Sequence, residues 1–233
     1  MTILTNSWAQ YVSCIQAQNG RLVSNSKYSP LPVLSQPSGR WSYLDELKMC
    51  NQYFSQTSSF AQIPLQGRQG IAGTLPPDTD RWFGWMGAAG RFMALVNQQP
   101  SALALWIDAI PVTGPVTCAQ IEKYMIGMLG IDGISIATAT RLLAMKRPDY
   151  CLPITSTNYD KLKSSVLGPF CPPRSLKNKG FPEISRVAQL YVALLAKIWS
   201  TPWWQAPTPA TAGWPHTLWQ GRVAMLDAIF YDP

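Results

Sequence analysis

Prolines divide the chain after residue 79 into a series of short helical segments. Apolar residues recur every three or four positions within each segment, and Pro100, Pro111 and Pro115 separate successive segments because proline cannot continue a helix. Thr79 and Ser101 are the predicted N-caps of the first two segments. Because convincing runs of alternating apolar and polar residues are missing, the pattern predicts a mostly or wholly α-helical fold.

The chain before residue 79 is less regular. Residues 1–40 are polar and punctuated, and residues 29–39 (SPLPVLSQPSG) are predicted to form an extended, proline-stiffened connection. Residues 41–56 (WSYLDELKMCNQYFSQ) have apolar residues at helical spacing and are predicted to be a helix. Residues 62–80 are rich in Gly and Pro and are predicted to be a loop, although their glycines lack the spacing of a phosphate-binding motif.

The composition is typical of a globular protein rather than a disordered one. Of the 233 residues, 47% are hydrophobic and only 13% are charged, so most of the chain should be packed. The length fits one domain or two lobes that share a crevice, and we predict a single domain with two helical lobes around a crevice. The predicted parts of this domain (1–233) are an N-terminal segment with loops (1–78), a helical lobe with a hairpin at 125–150 (79–165), and C-terminal helices that complete the second lobe (166–233).

Membrane, secretory and metal functions are not expected. The longest apolar stretch, residues 187–199, is too short to span a bilayer and contains Lys197. The N-terminus lacks the basic start and apolar run of a secretory signal, so a cytoplasmic location is expected. The five cysteines are scattered and there is one histidine, so we expect free thiols and no metal or other cofactor from these residues.

Positive charge is concentrated in one part of the chain. Residues 141–186 contain nine basic and three acidic residues, which gives +6 of the formal net charge of +7. A solvated basic face and a polyanion-binding surface are both compatible with this count. The position of the charge beside a predicted helical hairpin favours nucleic acid as the partner.

That hairpin is predicted for residues 125–150 (MIGMLGIDGISIATATRLLAMKRPDY), as two helices joined at GIDGIS. Gly130 and Gly133 allow a tight reversal, and Ser135 begins a helix with small residues in its first turns. Small residues permit close approach of a backbone, and the exposed amides of a helix N-terminus favour phosphate.

These residues resemble the helix-hairpin-helix DNA glycosylase superfamily, and within it the 8-oxoguanine glycosylase (OGG) branch. The resemblance rests on DGIS, the following ATATRLLAM, the RPD turn and the Pro153–Ile154 pair, with weaker likeness in the final LWQGRVAMLDAIFYDP. It implies a monomeric enzyme acting on double-stranded DNA, with a monovalent cation held by backbone carbonyls of the hairpin. The DNA-binding residues it implies are Gly133, Ser135, Ala137, Thr138, Arg141, Lys146, Arg147, Lys161 and Lys163.

Two positions depart from the family pattern. The catalytic lysine of the family falls on Ala137 here, and the catalytic aspartate falls on Thr155. Without the lysine no Schiff base forms there, so a monofunctional glycosylase is favoured over a lyase. With Thr155 as the predicted helix N-cap, the candidate catalytic residues are Asp160, Asn158 and Thr155. The alternative is that Thr155 and Asn158 only cap the helix while Asp160 pairs with a neighbouring cation at the surface.

A pocket for the extruded base is predicted in the C-terminal region. Most of the tryptophans are expected in the core, but residues 202–216 are broken by proline and are predicted to be a loop that lines a pocket. Trp203 and Trp204 are the candidates for stacking on the base, and His216 is a candidate pocket contact.

Three functions remain open at this point. The first is a glycosylase for a base other than 8-oxoguanine, similar to bacterial anti-phage enzymes that remove glucosylated hydroxymethylcytosine from phage DNA. The second is a DNA-binding protein that has kept the hairpin and lost the chemistry. The third is a helical protein-interaction module in which the likeness of the hairpin is accidental.

Overall fold

The computed structural model describes residues 3–18, 34, 42–76, 83–210 and 212–231. These residues contain helices and connecting segments and no β-strand, so the prediction of a mostly or wholly α-helical fold is confirmed. Thr79, Trp82 and almost all of the predicted connection at 29–39 lie outside the described residues.

Twelve α-helices and two 3₁₀ helices occur in the described part of the chain. The α-helices are α1 (Trp8–Gln18), α2 (Tyr43–Gln56), α3 (Leu65–Ala72), α4 (Gly90–Gln98), α5 (Pro100–Ile107), α6 (Cys118–Gly130), α7 (Ile136–Lys146), α8 (Tyr159–Ser164), α9 (Phe181–Trp199), α10 (Pro202–Gln205), α11 (Trp214–Gln220) and α12 (Leu226–Phe230). The 3₁₀ helices are Phe60–Gln62 and Gly168–Phe170.

Helix α7 lies at the centre of the fold. It contacts α2, α3, α5 and α6, and α9 in turn packs along α6. Every residue of α7 except Ala137 is buried, including its polar and charged ones. A helix that is enclosed on all sides presents almost none of its surface to a partner, and this placement decides the roles of its basic residues.

Helix α2 forms where its periodicity predicts it. Ser42 caps the helix and Asp45 completes a capping box, because each side chain binds the backbone N–H of the other residue. Leu44 and Leu47 are buried on the inner face. The predicted helix at 41–56 is therefore confirmed, with its first turn at Tyr43.

The predicted loop at 62–80 is wrong in its first half, where the structure has helix α3. Gly67 and Gly70 in this helix allow close packing against a neighbouring helix and do not form a turn. A Cβ atom at Gly67 would lie 2.7 Å from the Tyr53 ring, and one at Gly70 would lie 2.9 Å from Met49. Helix α3 ends at Gly73, whose φ of 71° gives the left-handed C-cap.

We expect Gly67→Ala to destabilise the protein by about 1–3 kcal/mol, because the added methyl group overlaps the Tyr53 ring and Ile63. Gly90→Ala, in the first turn of α4, is the matched control, since a Cβ atom there meets nothing within 4 Å. That change should be neutral or stabilise by up to about 1 kcal/mol. Urea unfolding of both variants tests this, and equal effects would contradict the packing role of Gly67.

Three predicted helix starts are corrected. Residues 83–89, which belong to the segment predicted as helical from residue 79, contain no helix, and α4 begins at Gly90. Helix α5 has Gln99 as its N-cap and Pro100 as its first residue, so Ser101 is not the cap. Helix α8 begins at Tyr159 with Asn158 at the N-cap position, so Thr155 lies three residues before the N-cap.

Candidate functional site

Helices α6 and α7 are joined by a short connection, which we call the α6–α7 turn (residues 131–135). Gly133 has a φ of 91°, a left-handed conformation that favours glycine. Ser135 is the N-cap of α7 and forms a capping box with Thr138. A turn with a left-handed glycine and the predicted helix start at Ser135 are therefore present.

Arg141 was predicted to contact phosphate, and the structure assigns it a different role. Its side chain is fully buried and donates to three main-chain carbonyls, those of Ile71 (3.0 Å), Gly84 (2.7 Å) and Gly70 (2.9 Å). Glu46 lies 3.6 Å from the guanidinium. Gly70 and Ile71 are in the last turn of α3, where a helix leaves carbonyls without an intrahelical partner, and the Gly70 carbonyl also accepts the Gly73 N–H at 3.0 Å. Arg141 is therefore not available to contact phosphate in this structure, because its guanidinium is enclosed and hydrogen-bonded within the protein.

Lys146 and Arg147 are also enclosed. The Lys146 ammonium donates to the Ile107 carbonyl at 2.8 Å, and burial lowers the pKa of Lys146 to about 8. Arg147 forms a paired contact with both oxygens of Asp149 and donates to the Pro111 and Gly114 carbonyls. Both residues were predicted to contact DNA, and both instead tie the end of α7 to neighbouring connections.

The other predicted DNA-binding residues divide by exposure. Thr138 is buried by its capping role, whereas Ser135 is exposed and Gly133 and Ala137 are partly exposed. In α8, Lys161 donates to the Tyr231 carbonyl at 3.0 Å and is partly buried, and Lys163 is exposed. These accessible residues stay candidates for DNA contact.

Two exposed cations that the sequence interpretation missed lie at the α6–α7 turn. Arg91 comes from α4 and forms an ion pair with Asp132 at 2.5 Å. Lys179 comes from the connection before α9 and donates to the Ile131 carbonyl at 2.8 Å and the Ile134 carbonyl at 3.3 Å. Their positions in the chain, far from the turn, give no sequence signal for this meeting.

Four buried residues form a polar cluster around the Asn158 side chain, which we call the Asp227 cluster (Tyr43, Thr155, Asn158 and Asp227). The Asn158 side chain accepts from the Thr155 backbone N–H at 2.9 Å and donates to the Pro153 carbonyl and to Asp227. Asp227 also accepts from the Tyr43 hydroxyl at 3.2 Å. Asn158 thus connects Pro153 and Thr155 to the carboxyl group of Asp227, a residue of α12 that was not selected from the sequence.

Burial of Asp227 changes its acidity. Its side chain is fully enclosed, and this desolvation raises its pKa from 3.8 to about 6. Hydrogen bonds from Asn158 and Tyr43 and the nearby charge of Arg141 oppose the rise. A carboxyl group that titrates close to neutral pH in a buried polar cluster is a candidate functional group. The sequence feature that could have identified Asp227 is its position as the one acidic residue in the apolar run VAMLDAIF.

The raised pKa of Asp227 predicts how stability depends on pH. Between about pH 4 and pH 6 the unfolded chain loses this proton while the folded protein keeps it, so the free energy of unfolding falls as the pH rises. The contribution of Asp227 to this fall is about 3 kcal/mol. Urea unfolding at several pH values, with Asp227→Asn as the control, measures it. An identical pH dependence in both proteins would contradict the raised pKa.

Asp160, the first catalytic candidate from the sequence, lies at the surface. Its side chain is 74% exposed, and the nearest oxygen is 3.9 Å from the Arg174 guanidinium. An exposed pair at this distance contributes little to stability. The position agrees with the alternative interpretation of Asp160 as a surface ion-pair residue.

A strained segment packs against Thr155 on its other side. Phe83 has a φ of 61° and Gly84 a φ of 83°, and a bulky residue in this conformation is strained. A Cβ atom at Gly84 would lie 2.6 Å from the Thr155 methyl group, so the two residues touch. Trp85 follows with 43% of its surface exposed, and its indole N–H donates to the Leu75 carbonyl at 2.7 Å. The exposed residue Trp85 thus directly follows, in the chain, the glycine that touches Thr155.

Of the three residues predicted to line a base pocket in the C-terminal region, Trp203 is corrected. Trp203 is completely buried, stacks on Tyr11 with ring centroids 4.5 Å apart, and belongs to the core. Trp204 is partly buried, and its indole N–H donates to the Asp149 carbonyl at 2.8 Å. His216 is partly exposed on α11, 6.5 Å from Trp219. Residues 202–205 form helix α10 rather than a loop, which places Trp203 inside the protein.

Two adjoining surface cavities, of about 340 and 460 Å³, lie at the C-terminal end of α7. Both are lined by Asn51, Pro148 and Gln220. Eleven helical residues separate this end of α7 from the α6–α7 turn, a distance of about 16 Å. Thr155 lines neither of these two cavities.

The described residues contain neither a membrane-spanning helix nor a metal-binding group. No helix in this part of the chain is long and apolar enough to cross a membrane. No group of three or more His, Cys, Asp or Glu side chains in the same residues is arranged to hold a metal ion. In comparisons with known proteins, no family model, curated protein or solved structure matches the chain.

Proposed function

We propose that the protein is a monofunctional DNA glycosylase, which extrudes a modified base from duplex DNA and cleaves its N-glycosidic bond to leave an abasic site. The observation that carries the proposal is the buried carboxyl group of Asp227. It titrates at about pH 6 and is joined through Asn158 to Thr155, where the family that the chain resembles has its catalytic aspartate. Strongly perturbed carboxyl groups are concentrated at functional sites.

The chemistry requires stabilisation of positive charge on the sugar. The base leaves with the electron pair of the broken bond, and positive charge develops on the sugar ring. Water then adds at that carbon, and the proton it loses passes to the departing base. Above about pH 6 Asp227 is an anion, and in the proposal it stabilises that charge through Asn158 without touching the substrate. Asp227 and Asn158 are thus positioning residues. The Thr155 and Thr157 hydroxyls, 2.9 Å apart, hold the attacking water.

Entry of the base requires movement, because Thr155 is only 3% exposed. The Phe83–Gly84 segment is the element that moves, since its backbone strain, of about 1–3 kcal/mol, is released when it opens. Trp85 then provides an aromatic face on which the extruded base stacks. DNA is held through its phosphates by the exposed cations Arg91 and Lys163, with no requirement for a particular sequence.

The substrate in this proposal is a hypermodified cytosine, such as the glucosylated hydroxymethylcytosine of phage DNA. Ser156 is exposed and Thr157 is partly exposed beside the junction, so their hydroxyls are available to the sugar on such a base. A host genome without the modification would be spared, which suits a protein that grips DNA without reading its sequence. The protein would then act in the cytoplasm against invading DNA.

The test uses three duplex DNA samples: unmodified, containing 8-oxoguanine, and phage DNA with glucosylated hydroxymethylcytosine. Abasic sites are trapped with an aldehyde-reactive probe after incubation with the protein. We expect sites in the glucosylated DNA only. Sites in the 8-oxoguanine DNA would instead identify a repair glycosylase, and no sites in any sample would contradict the enzymatic proposal for these bases.

One observation favours a second candidate, a DNA-binding protein without chemistry. Thr155, Asn158 and Asp227 are 3%, 1% and 0% exposed, so the cluster is closed to a substrate in this conformation. A protein of this kind binds all three DNA samples with affinity that falls as salt rises, and produces no abasic sites. The same three samples therefore separate the two candidates.

A further inference from the structure

The connection between the 3₁₀ helix Gly168–Phe170 and α9 carries a lysine into the α6–α7 turn. The Lys179 ammonium donates to the carbonyls of Ile131 (2.8 Å) and Ile134 (3.3 Å) and lies 4.0 Å from an Asp132 oxygen. One positive charge is thus surrounded by two main-chain carbonyl oxygens and a carboxylate. Main-chain carbonyls arranged around a positive charge are also the ligands that proteins use for monovalent metal cations.

The segment that holds Lys179 is fixed before it reaches the turn. Both carboxylate oxygens of Glu183, in the first turn of α9, accept backbone N–H groups, from Lys177 at 2.7 Å and from Asn178 at 2.8 Å. These bonds lower the pKa of Glu183. The Asn178 side chain accepts from the Gly180 N–H at 2.9 Å. The backbone on both sides of Lys179 is therefore held, which directs its side chain to the α6–α7 turn.

The residues at the turn do not fit the monovalent cation that the family resemblance implies. Such a cation requires free carbonyl oxygens, and the carbonyls of Ile131 and Ile134 are already engaged by an ammonium group. A metal cation that approached them would be repelled by the charge of Lys179 and by Arg91, which binds the same Asp132.

We propose that Lys179 is a built-in replacement for that cation: its ammonium group holds the carbonyls of the α6–α7 turn in place, so the protein needs neither potassium nor sodium to present this turn to DNA. A lysine is suited to the role, since an ammonium group is a compact point charge with three donors and its long side chain reaches from another element. The Ile131 and Ile134 carbonyls are then positioned at every concentration of salt.

The experiment compares the wild type, Lys179→Met and Lys177→Met in potassium chloride, sodium chloride and tetramethylammonium chloride at equal ionic strength. Lys177→Met is the matched control, because it removes the same charge from an exposed side chain of the same segment while the Lys177 backbone still binds Glu183. Tetramethylammonium supplies charge but is too large to take the place of an ion between two carbonyls. Thermal unfolding and the affinity for a DNA duplex are measured for each protein.

The wild type and Lys177→Met should each give the same melting temperature and DNA affinity in all three salts. Lys179→Met should melt at a lower temperature in tetramethylammonium than in potassium, and its affinity should fall about 10-fold in tetramethylammonium and return to that of Lys177→Met in potassium. A wild type that responds to the identity of the cation would overturn the proposal. So would a Lys179→Met protein that behaves in the same way in all three salts.

The DNA part of this experiment depends on the proposed function, whereas thermal unfolding does not. If the wild type binds no DNA in any salt, the proposed function fails, and the melting temperatures of Lys179→Met still decide the role of Lys179. Failure of one proposal can thus be distinguished from failure of the other.

Discussion

We expect Asp227→Asn to release the modified base at least about 100-fold more slowly than the wild type while binding the same DNA with similar affinity. Asparagine keeps the shape of the cluster, since its carbonyl oxygen accepts from Asn158 and its amide group can donate to the Tyr43 hydroxyl, which now acts as an acceptor. Only the negative charge is removed. Because Asp227 is enclosed and does not reach DNA, the loss should be in kcat rather than in KM.

The pH dependence of this reaction distinguishes a functional carboxylate from a structural one. In the wild type, kcat should rise as the pH increases through about 6, because Asp227 becomes an anion over that range. In Asp227→Asn the rate should stay low and lack this step. Single-turnover kinetics from pH 5 to pH 8 would measure both proteins.

Asp160→Asn is the matched control, since it removes an equal charge from a carboxyl group that is 74% exposed. Its rate should stay within about 2-fold of the wild type, as for most surface substitutions. If Asp160→Asn lost activity while Asp227→Asn kept it, the catalytic candidate from the sequence would stand and the role proposed for Asp227 would be wrong.

The helices were predictable where their signals are local. The capping box at Ser42 and Asp45, the small residues around Gly133 and Ser135, and the long apolar stripe of α9 each act over a few residues, and each appears in the structure. Helix α3 was missed because glycines normally indicate a loop. Gly67 and Gly70 instead allow contact with Tyr53 and Met49 of α2, a contact between elements that no short window of sequence contains.

The site was less predictable because charge in the sequence does not indicate position in the fold. Arg141, Lys146 and Arg147 raised the net charge of residues 141–186 and pointed to DNA, yet all three are buried. One signal was present: IATATRLLAMK is apolar on most sides, which indicates an enclosed helix. Arg91 and Lys179 reach the α6–α7 turn from distant elements, so only the tertiary structure brings them together.

Replacing Arg141 should produce the largest loss of stability among the basic residues. Its guanidinium binds the carbonyls of Gly70 and Ile71 at the end of α3, the Gly84 carbonyl in the strained segment, and Glu46. Arg141→Met removes the guanidinium from all four of these groups, and the Gly70 carbonyl keeps only the Gly73 N–H. We expect the free energy of unfolding to fall by about 3–5 kcal/mol, as measured by urea unfolding.

A second variant separates the lost charge from the lost hydrogen bonds. In Glu46→Leu/Arg141→Met, both members of the buried ion pair are removed, so no buried Glu46 carboxylate remains that has lost the Arg141 charge. The double variant should be more stable than Arg141→Met, although the three carbonyls still lack their donor. Equal stability of the two proteins would show that Glu46 contributes nothing through Arg141.

The same replacement also tests whether Arg141 binds phosphate. At a temperature where Arg141→Met is folded, the salt dependence of its DNA affinity should equal that of the wild type, because the guanidinium is enclosed. Arg91→Met removes a side chain that is 77% exposed at the α6–α7 turn, and it should reduce the slope of log affinity against log salt by about 1. If Arg141→Met reduced the slope and Arg91→Met did not, the phosphate contact would belong to Arg141 after all, and the α7 helix would have to open when DNA binds.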